Sequence, residues 1–258
     1  MATFLFDEII FGPVRSRRLG SSLGINLLPV SRKLCNFNCI YCECGITPHS
    51  GSYDKVPSKE EVVREMETKI TAFEKAGTRI DALTFAGNGE PTLHPDFPGI
   101  IDGTVRIRNE KMPHVEIVVL SNATRLHIPE IMESLKRVDK PILKLDSAFE
   151  DTINKINCPR ADFSIEEVMK NLEKLKGKFI LQTLFLRGEY KGEYIDNASA
   201  VEVQAWLNAV EHLQPREVMI YTIARDTPLD TLEKIPEEEL RKIAIQVEKI
   251  GISTQVSA

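Results

Sequence analysis

Three cysteines lie close together in the first fifth of the chain. Cys35, Cys39 and Cys42 form a C-x3-C-x2-C triplet, and Tyr41 directly precedes the last of them. Thiolates at this spacing converge only if the chain wraps around a shared centre, and they bind zinc, Cu(I) or iron–sulfur clusters in preference to hard cations. Structural zinc sites and ordinary clusters use four protein ligands. A local set of three therefore predicts a metal centre with one open position, where chemistry can take place.

Two nearby residues offer closed versions of this centre. Cys44 extends the triplet to C-x3-C-x2-C-x-C, so four thiols could close a structural zinc site or an electron-transfer cluster. His49 is another candidate for a fourth ligand. Cys158 stands alone in the sequence and is interpreted as a buried or incidental thiol. The triplet by itself leaves both the open and the closed centre possible.

A glycine-rich segment follows a buried apolar run one unit later in the chain. It reads AGNGEP and contains Gly87, Asn88, Gly89 and Glu90. Glycine lets the backbone approach a ligand closely and adopt torsion angles that other residues avoid. Free amides and carbonyls at a strand end would suit the ammonium group of an amino acid. The segment could be a simple turn, but its position after a strand, one unit beyond the cysteine loop, favours ligand binding.

These residues resemble a known family. The pattern C-x3-C-x-aromatic-C is the signature of the radical S-adenosylmethionine (radical SAM) superfamily. The segments GPVRSRRLGSSLGINLLP, FAGNGEPTLHPDF and LDSAFEDTINKINCPR are similar to the wyosine-synthetase-like branch of that superfamily. The resemblance implies that the three cysteines hold three irons of a [4Fe–4S] cluster, that SAM chelates the fourth iron, and that Tyr41 lies near the adenine. It also implies that residues 87–90 contact the methionine moiety of SAM, with Asn88 in place of the usual first of two adjacent glycines.

The resemblance further implies an activity. A reduced cluster would cleave SAM to methionine and a 5′-deoxyadenosyl radical, which would abstract hydrogen from a substrate, and the chain would need an electron donor such as flavodoxin or ferredoxin. Wyosine-type relatives modify a guanosine in tRNA and carry extra cysteines upstream, whereas no cysteine precedes Cys35 here. We therefore favour a small molecule or a peptide as substrate over tRNA. Two different functions stay open: a glycyl-radical activase, and a non-catalytic zinc or iron–sulfur module with Cys44 as fourth ligand.

Further polar residues come at or near the ends of predicted strands. They are Ser121, Asn122, Asp146, Ser147, Gln182 and Tyr221. By the resemblance, Ser121 and Asn122 would bond the carboxylate or the ribose of SAM. The Asp146 carboxylate could accept hydrogen bonds from ribose hydroxyls, or it could cap a helix; the two interpretations have equal weight. Gln182 would face the interior of a barrel, and Tyr221 would frame the adenine.

Composition limits the partners. The chain has 258 residues, a hydrophobic content of 42% and a formal net charge of −5, which are ordinary for a globular protein and do not favour a nucleic-acid partner. A local basic excess flanks the cysteine loop, made of Arg15, Arg17, Arg18, Arg32 and Lys33. These cations either pair with acidic side chains or bind a phosphate- or carboxylate-bearing substrate.

The N-terminal sequence and the cysteines indicate a compartment. MATFLFDEIIFG has no basic leader, and Asp7 and Glu8 interrupt its apolar run, so neither a signal peptide nor a membrane span is expected. Five cysteines, mostly in one loop, do not resemble a secreted disulfide framework. We expect a cytoplasmic protein with no membrane partner.

The elements that position these residues alternate between strands and helices. Strands are predicted at residues 25–28, 80–86, 115–121, 142–146, 179–186, 217–223 and 252–256. Helices are predicted from the capping-box residues Ser58 and Ser164, each ending at a glycine, and at 97–109, 131–137, 203–213 and from Pro236. Six β-α units predict an α/β protein with a parallel sheet, and the resemblance implies a partial (β/α)6 TIM-like barrel with outer helices. We expect one domain over residues 1–258, with 1–24 as an N-terminal extension and 25–258 as the barrel.

Overall fold

Most of the strands belong to one curved sheet. A computed structural model describes residues 4–16, 18–47, 55–225 and 227–258. The strands in these residues are Ile10–Ser16 (β1), Gly20–Ile25 (β2), Ala82–Phe85 (β3), Glu116–Ser121 (β4), Lys140–Lys144 (β5), Ile180–Leu184 (β6), Leu186–Tyr190 (β7), Glu193–Asp196 (β8), Glu217–Tyr221 (β9), Leu232–Lys234 (β10) and Ser253–Ser257 (β11).

The sheet has the strand order β1-β2-β3-β4-β5-β6-β9-β11. From β2 to β11 every neighbouring pair is parallel, and only β1 pairs antiparallel, with β2. A separate antiparallel sheet has the order β10-β7-β8. The curled parallel sheet confirms the predicted partial TIM-like barrel, and the carboxyl ends of its strands lie at one rim, where such folds carry their sites.

Helices cover the outside of the sheet. In the described residues they are Lys59–Ala76 (α1), Phe97–Lys111 (α2), Pro129–Leu135 (α3), Glu150–Ile156 (α4), Ile165–Glu173 (α5), Ala200–Leu213 (α6) and Glu237–Lys249 (α7). Helix α1 begins with the predicted capping box, in which Ser58 and Glu61 bond each other's backbone, and ends at Gly77 in the left-handed conformation. None of the helices in the described ranges has the length and apolar character that crossing a bilayer requires.

Alternate residues of each strand face opposite sides of the sheet. The outer side and the helices share the main core, which includes Leu83, Val119, Leu143, Leu181 and Ile220. The inner side carries a smaller apolar layer of Ala82, Val118, Ile142, Ile180 and Met219, one residue from each of β3, β4, β5, β6 and β9. This layer forms the floor of the half-barrel. Polar residues further along the same strands stand above it.

The first strand differs from its prediction. An apolar run predicts a strand over residues 25–28, but β2 occupies Gly20–Ile25 and forms a hairpin with β1. The reason is the Phe11 side chain on β1: a Cβ atom on Gly24 would lie 2.0 Å from the Phe11 ring. A glycine is therefore required within β2, and a strand that contains glycine lacks the apolar pattern from which strands are predicted. The hairpin joins residues 10–24 to the same sheet as the barrel.

Smaller differences occur elsewhere. Helix α4 and the sheet β10-β7-β8 have no counterpart in the prediction. The helix capped by Ser164 ends at Glu173, before the predicted stop at Gly177. Pro236 is the N-cap of α7 instead of its first residue.

Candidate functional site

A cavity of about 480 Å³ occupies the inner side of the half-barrel and opens at the carboxyl ends of its strands. Eleven of the fourteen predicted site residues line it: Cys35, Cys39, Tyr41, Cys42, Gly87, Gly89, Glu90, Ser121, Asn122, Gln182 and Tyr221. Asn88, Asp146 and Ser147 do not line the cavity. The structure therefore places the cysteine loop, the glycine-rich segment and residues of three further strands, β4, β6 and β9, around one space.

The cysteine loop is fixed to the barrel from two sides. On one side, Leu34 N–H donates to the Asn88 carbonyl at 2.8 Å, and Glu90 N–H donates to the Leu34 carbonyl at 3.1 Å. On the other side, Asn38 N–H donates to the Asn157 carbonyl at 2.9 Å, beyond the end of α4. The loop thus lies between the end of β3 and the end of α4, and these backbone bonds hold its thiols over the cavity.

Gly89 is required by this docking. Its φ is +140°, and a Cβ atom on it would lie 1.8 Å from the Leu34 carbonyl oxygen. No other residue type allows the two segments to approach so closely. The glycine-rich segment therefore serves as the contact surface for the cysteine loop as well as part of the cavity wall.

Nitrogen donors surround the thiols. Phe37 N–H donates to Cys35 Sγ at 3.4 Å, and Asn157 Nδ2 donates to Cys39 Sγ at 3.3 Å. Asn122 Nδ2 lies 3.9 Å from Cys35 Sγ. Hydrogen bonds to cluster sulfurs tune the reduction potential of iron–sulfur centres.

Burial and charge set the protonation of the thiols. Burial raises the pKa of Cys35 to about 12 and that of Cys39 to about 11. The pKa of Cys42 is lowered to about 5, because the Cys44 thiol donates a hydrogen bond to it and the Lys33 ammonium group attracts the thiolate. Lys33 is only 3% exposed and also donates to the Gly45 carbonyl at 2.8 Å.

The thiols do not form a site for a single ion. Across the described residues, no group of three or more His, Cys, Asp or Glu side chains could hold one metal ion. The Cys44 thiol lines the cavity and lies 3.5 Å from the Gly87 carbonyl oxygen. His49, the other candidate fourth ligand, lies outside the described residues. Cys158 does not line the cavity, and its thiol lies 3.4 Å from the Lys155 carbonyl oxygen.

Glu90 connects three segments of the cavity wall. Its carboxylate accepts from Thr92 N–H at 3.1 Å, from the Ser121 hydroxyl at 2.8 Å and from Asn122 N–H at 2.7 Å. Glu90 is 2% exposed, and burial raises its pKa while these donors oppose the rise. The side chain of Asn122 donates from Nδ2 to Asn36 Oδ1 at 2.7 Å and so reaches the cysteine loop. The ends of β3 and β4 are held in a fixed relation to the thiols.

The three remaining predicted residues form bonds behind the cavity wall. The Asn88 side chain bonds the backbone of Phe6 in both directions and donates to the Pro29 carbonyl, each at 2.9 Å. The Ser147 hydroxyl donates to Glu202 at 2.6 Å. Asp146 is 1% exposed, and its carboxylate accepts from Tyr41, Asn157 and the Leu184 N–H.

The interpretation of Asp146 as a helix cap is wrong, because the N-cap residue of α4 is Phe149 and its cap has no side-chain hydrogen bond. Contacts of Asn88, Asp146 and Ser147 with a cofactor stay predictions. Such contacts would have to be made by backbone atoms, or the side-chain hydrogen bonds just described would have to rearrange.

Sequence reasoning missed two residues of the site. Lys144 on β5 lines the cavity, and its Nζ donates to the Tyr221 hydroxyl at 2.8 Å. A lysine two residues before Asp146 in an otherwise apolar strand is a signal that could have identified it. Asn157 joins Cys39, Tyr41 and Asp146 through one amide group, and nothing in its local sequence predicts this role.

Comparisons with known proteins identify a family for this chain. The family described as the Radical SAM superfamily matches residues 32–201. A UPF0026 protein of Helicobacter pylori (strain ATCC 700392 / 26695) is 30% identical over 260 residues, a match that covers 95% of this chain and 75% of that protein.

Two solved structures share the fold. A radical SAM methyltransferase from Sphaerobacter thermophilus superposes with a TM-score of 0.67 at 16% identity, covering 92% of this chain and 65% of its own. A structure of TYW1 with a lysine-pyruvate adduct bound gives a TM-score of 0.62 at 15% identity, covering 88% of this chain and 73% of its own. The extent of the family match, and the position of the cysteine motif inside it, show that the chain belongs to the radical SAM superfamily.

Proposed function

We propose that this protein is a radical SAM enzyme that holds a [4Fe–4S] cluster on Cys35, Cys39 and Cys42 and binds SAM at the fourth iron. The observation that carries the proposal is that these three thiols line one cavity together with the Gly87 and Gly89 segment. The chemistry such a centre supplies is one-electron cleavage of SAM, giving a 5′-deoxyadenosyl radical that abstracts hydrogen from the substrate. The reaction would be of the oxidoreductase or lyase type.

The donor set fits the cluster. Three thiols on one wall, each able to carry a negative charge, need nearby cations and N–H donors when they are removed from water. Lys33 supplies the cation, and Phe37 N–H and Asn157 Nδ2 supply donors to two of the sulfurs.

The residues around the cavity would orient the cofactor and keep water away. Gly87 and Gly89 present backbone groups to the cavity, and the Ser121 and Asn122 segment is fixed to them through Glu90. We assign these residues to SAM, Tyr41 to the edge of its adenine, and Gln182 to the interior. The hydroxyl of Tyr221, which is also expected beside the adenine, accepts a hydrogen bond from Lys144. Their hydrogen-bonded framework would hold the cofactor in one orientation toward the substrate.

The substrate and the partners follow from the same proposal. We propose a small molecule or a peptide as substrate, and flavodoxin or ferredoxin as the electron donor. Thiolate ligands and a reduced cluster require reducing conditions, so we place the reaction in the cytoplasm.

Anaerobic reconstitution of the full chain tests the assignment. We expect a brown protein with about four irons and four sulfides per chain, the content of one [4Fe–4S] cube. After reduction it should convert SAM to 5′-deoxyadenosine and methionine. Alanine variants of Cys35, Cys39 or Cys42 should lose both properties, whereas Cys158→Ala should keep them. The assignment would be wrong if any of the three variants kept a full cluster and SAM cleavage.

A further inference from the structure

One cation on the cavity wall carries a shielded donor that has no hydrogen-bond partner in the described residues. The Arg18 guanidinium lies over the ring of Tyr221, with its Cζ atom 5.0 Å from the ring centre. Its Nη1 atom is shielded from solvent and has no hydrogen-bond partner in the described part of the chain. Buried donors are nearly always satisfied, so an exception on the wall of a cavity points to a ligand.

Two more donors lie beside it. Lys144 Nζ donates to the Tyr221 hydroxyl at 2.8 Å and lies 3.6 Å from Asp146 Oδ1. An ammonium group has three donors, and a phenol that accepts one bond still has its own O–H to donate. Lys144 and Tyr221 both line the cavity, as Arg18 does. Tyr221 therefore brings a guanidinium and an ammonium group together around one aromatic ring.

Acidic groups on the wall do not neutralise this group of donors. The two carboxylates that line the cavity are Glu43 and Glu90. Glu43 pairs with Arg225 at 2.7 Å, and Glu90 accepts bonds from the ends of β3 and β4. Asp146 does not line the cavity, is 1% exposed and pairs with Lys144 at 3.6 Å. The shielded Nη1 atom of Arg18 has no acceptor in the described residues and is left to an anion that enters the cavity, where Lys144 and Tyr221 can add donors.

The position of these donors separates them from the segment assigned to SAM. Gly87 to Glu90 follow β3, whereas Lys144 lies on β5, Tyr221 on β9 and Arg18 in the turn between β1 and β2. In the sheet order, β4 lies between β3 and β5, and β6 lies between β5 and β9. An anion held by the three donors therefore occupies a different part of the cavity from the methionine moiety.

We propose that Arg18, Lys144 and Tyr221 form a subsite for an anionic group of the substrate, a carboxylate or a phosphate. The planar guanidinium of Arg18 can bond either group with two donors at once. The contacts described above support the anion site by themselves. The identification of its ligand as the substrate rests on the proposed radical SAM function. Of the five basic residues that flank the cysteine loop, the structure assigns Arg18 to this role, while Lys33 serves the thiols and Arg17 lies outside the described residues.

Calorimetric titration of the full chain with sodium phosphate and with sodium acetate, against sodium chloride, tests the subsite. At least one of the two anions should bind saturably, and the preferred one identifies the group. Arg18→Gln should weaken that binding about ten- to hundredfold, the effect of losing a hydrogen bond to a charged group. Arg64→Gln, which removes an arginine that is 63% exposed and pairs with Glu65, should bind as the wild type does.

Two further measurements complete the test of the subsite. Tyr221→Phe keeps the ring beneath Arg18 and removes the hydroxyl, so it should weaken anion binding. This variant tests the subsite if Arg18→Gln fails to fold. On the reconstituted protein, saturating SAM should leave anion binding in place. The subsite is overturned if neither anion saturates, if binding survives both variants, or if SAM displaces the anion. Anion binding in a protein that reconstitutes no cluster would instead overturn the proposed function and leave the subsite intact.

Discussion

The Tyr41 hydroxyl donates a hydrogen bond to the Asp146 carboxylate, which joins the cysteine loop to the end of β5. The same carboxylate accepts from Asn157 Nδ2 at 2.7 Å and from Leu184 N–H at 2.9 Å. Lys144 lies 3.6 Å away as its nearest cation. Asp146 thus attaches the loop that carries the thiols to the carboxyl end of β5.

Replacement of Asp146 should destabilise the fold strongly. Asp146→Ala leaves the Lys144 ammonium, whose side chain is 16% exposed, without its carboxylate, and loss of one member of a largely buried pair costs about 3–5 kcal/mol. Denaturant unfolding followed by the fluorescence of Trp206 measures this free energy. Asp102→Ala is the matched control, because Asp102 is 58% exposed and its pair with Arg137 should contribute at most about 1 kcal/mol. Equal losses in the two variants would contradict the role given to Asp146.

Gly89 should tolerate no side chain. In Gly89→Ala the new Cβ atom would meet the Leu34 carbonyl, so the cysteine loop must move away from β3. We expect a loss of stability above about 2 kcal/mol, in the range of backbone strain combined with broken contacts, and a reconstituted protein with little iron.

Gly77→Ala provides the control for this variant. Gly77 also has a positive φ, +63°, but its Cβ position is open. Its alanine variant should cost about 1 kcal/mol and keep its iron. Iron content that is normal in Gly89→Ala would show that the loop does not depend on this contact.

Stability should fall as the pH drops below about 6.5, in part through His94. Its Nε2 bonds the Pro57 carbonyl at 2.7 Å and its Nδ1 accepts from Asp96 N–H at 3.0 Å, so the folded protein uses the neutral ring with the proton on Nε2. Burial lowers the pKa of His94 below its ordinary value of 6.5. The unfolded chain then binds more protons than the folded one between these two pKa values, and the free energy of unfolding decreases as the pH falls through that range.

Denaturant titrations between about pH 7.5 and pH 5.5 measure this effect. In His94→Gln the free energy of unfolding should be lower at the upper end of this range and should change less with pH than in the wild type. A variant with the same pH dependence as the wild type would exclude His94 as the group responsible.

The sequence predicted those parts of the fold that depend on local chemistry. Ser58 and Gly77 define the ends of α1 through bonds made within the helix and its caps, so their types alone identify it. The strand over β4 follows from a short apolar run in the same way. The strand β2 could not be predicted, because its Gly24 is explained by Phe11 on the neighbouring strand.

The same distinction applies to the candidate site: local sequence identifies some of its residues, and contacts between distant segments position the others. Cys35, Gly89 and Ser121 were identified because a spacing or a strand end marks them, and the structure places all three on the cavity wall. One of the two interpretations of Asp146 places its carboxylate on the ribose, but hydrogen bonds from Tyr41, which is distant in sequence, and from Asn157 hold the carboxylate behind the wall. The position of Arg18 over Tyr221 depends on how the β1–β2 turn crosses the open half-barrel, which a single sequence does not encode in any local pattern.

Cys44 should be dispensable for the cluster. Its thiol donates a hydrogen bond to Cys42 and lies 3.5 Å from the Gly87 carbonyl oxygen, so it supports the thiolate without being a ligand in this account. Cys44→Ser can keep a hydroxyl donor to Cys42, and we expect about four irons per chain after reconstitution, as for any intact cube. Loss of all metal in Cys44→Ser, with a single zinc in the wild type, would favour the closed structural site.

Electron paramagnetic resonance of the reduced, reconstituted protein, recorded with and without SAM, tests the open iron most directly. If Cys35, Cys39 and Cys42 leave one iron free for SAM, the cofactor should shift the g-values of the cluster, in the wild type and in Cys44→Ser alike. A cluster spectrum that saturating SAM leaves unchanged would contradict the account, because every iron would then be held by the protein.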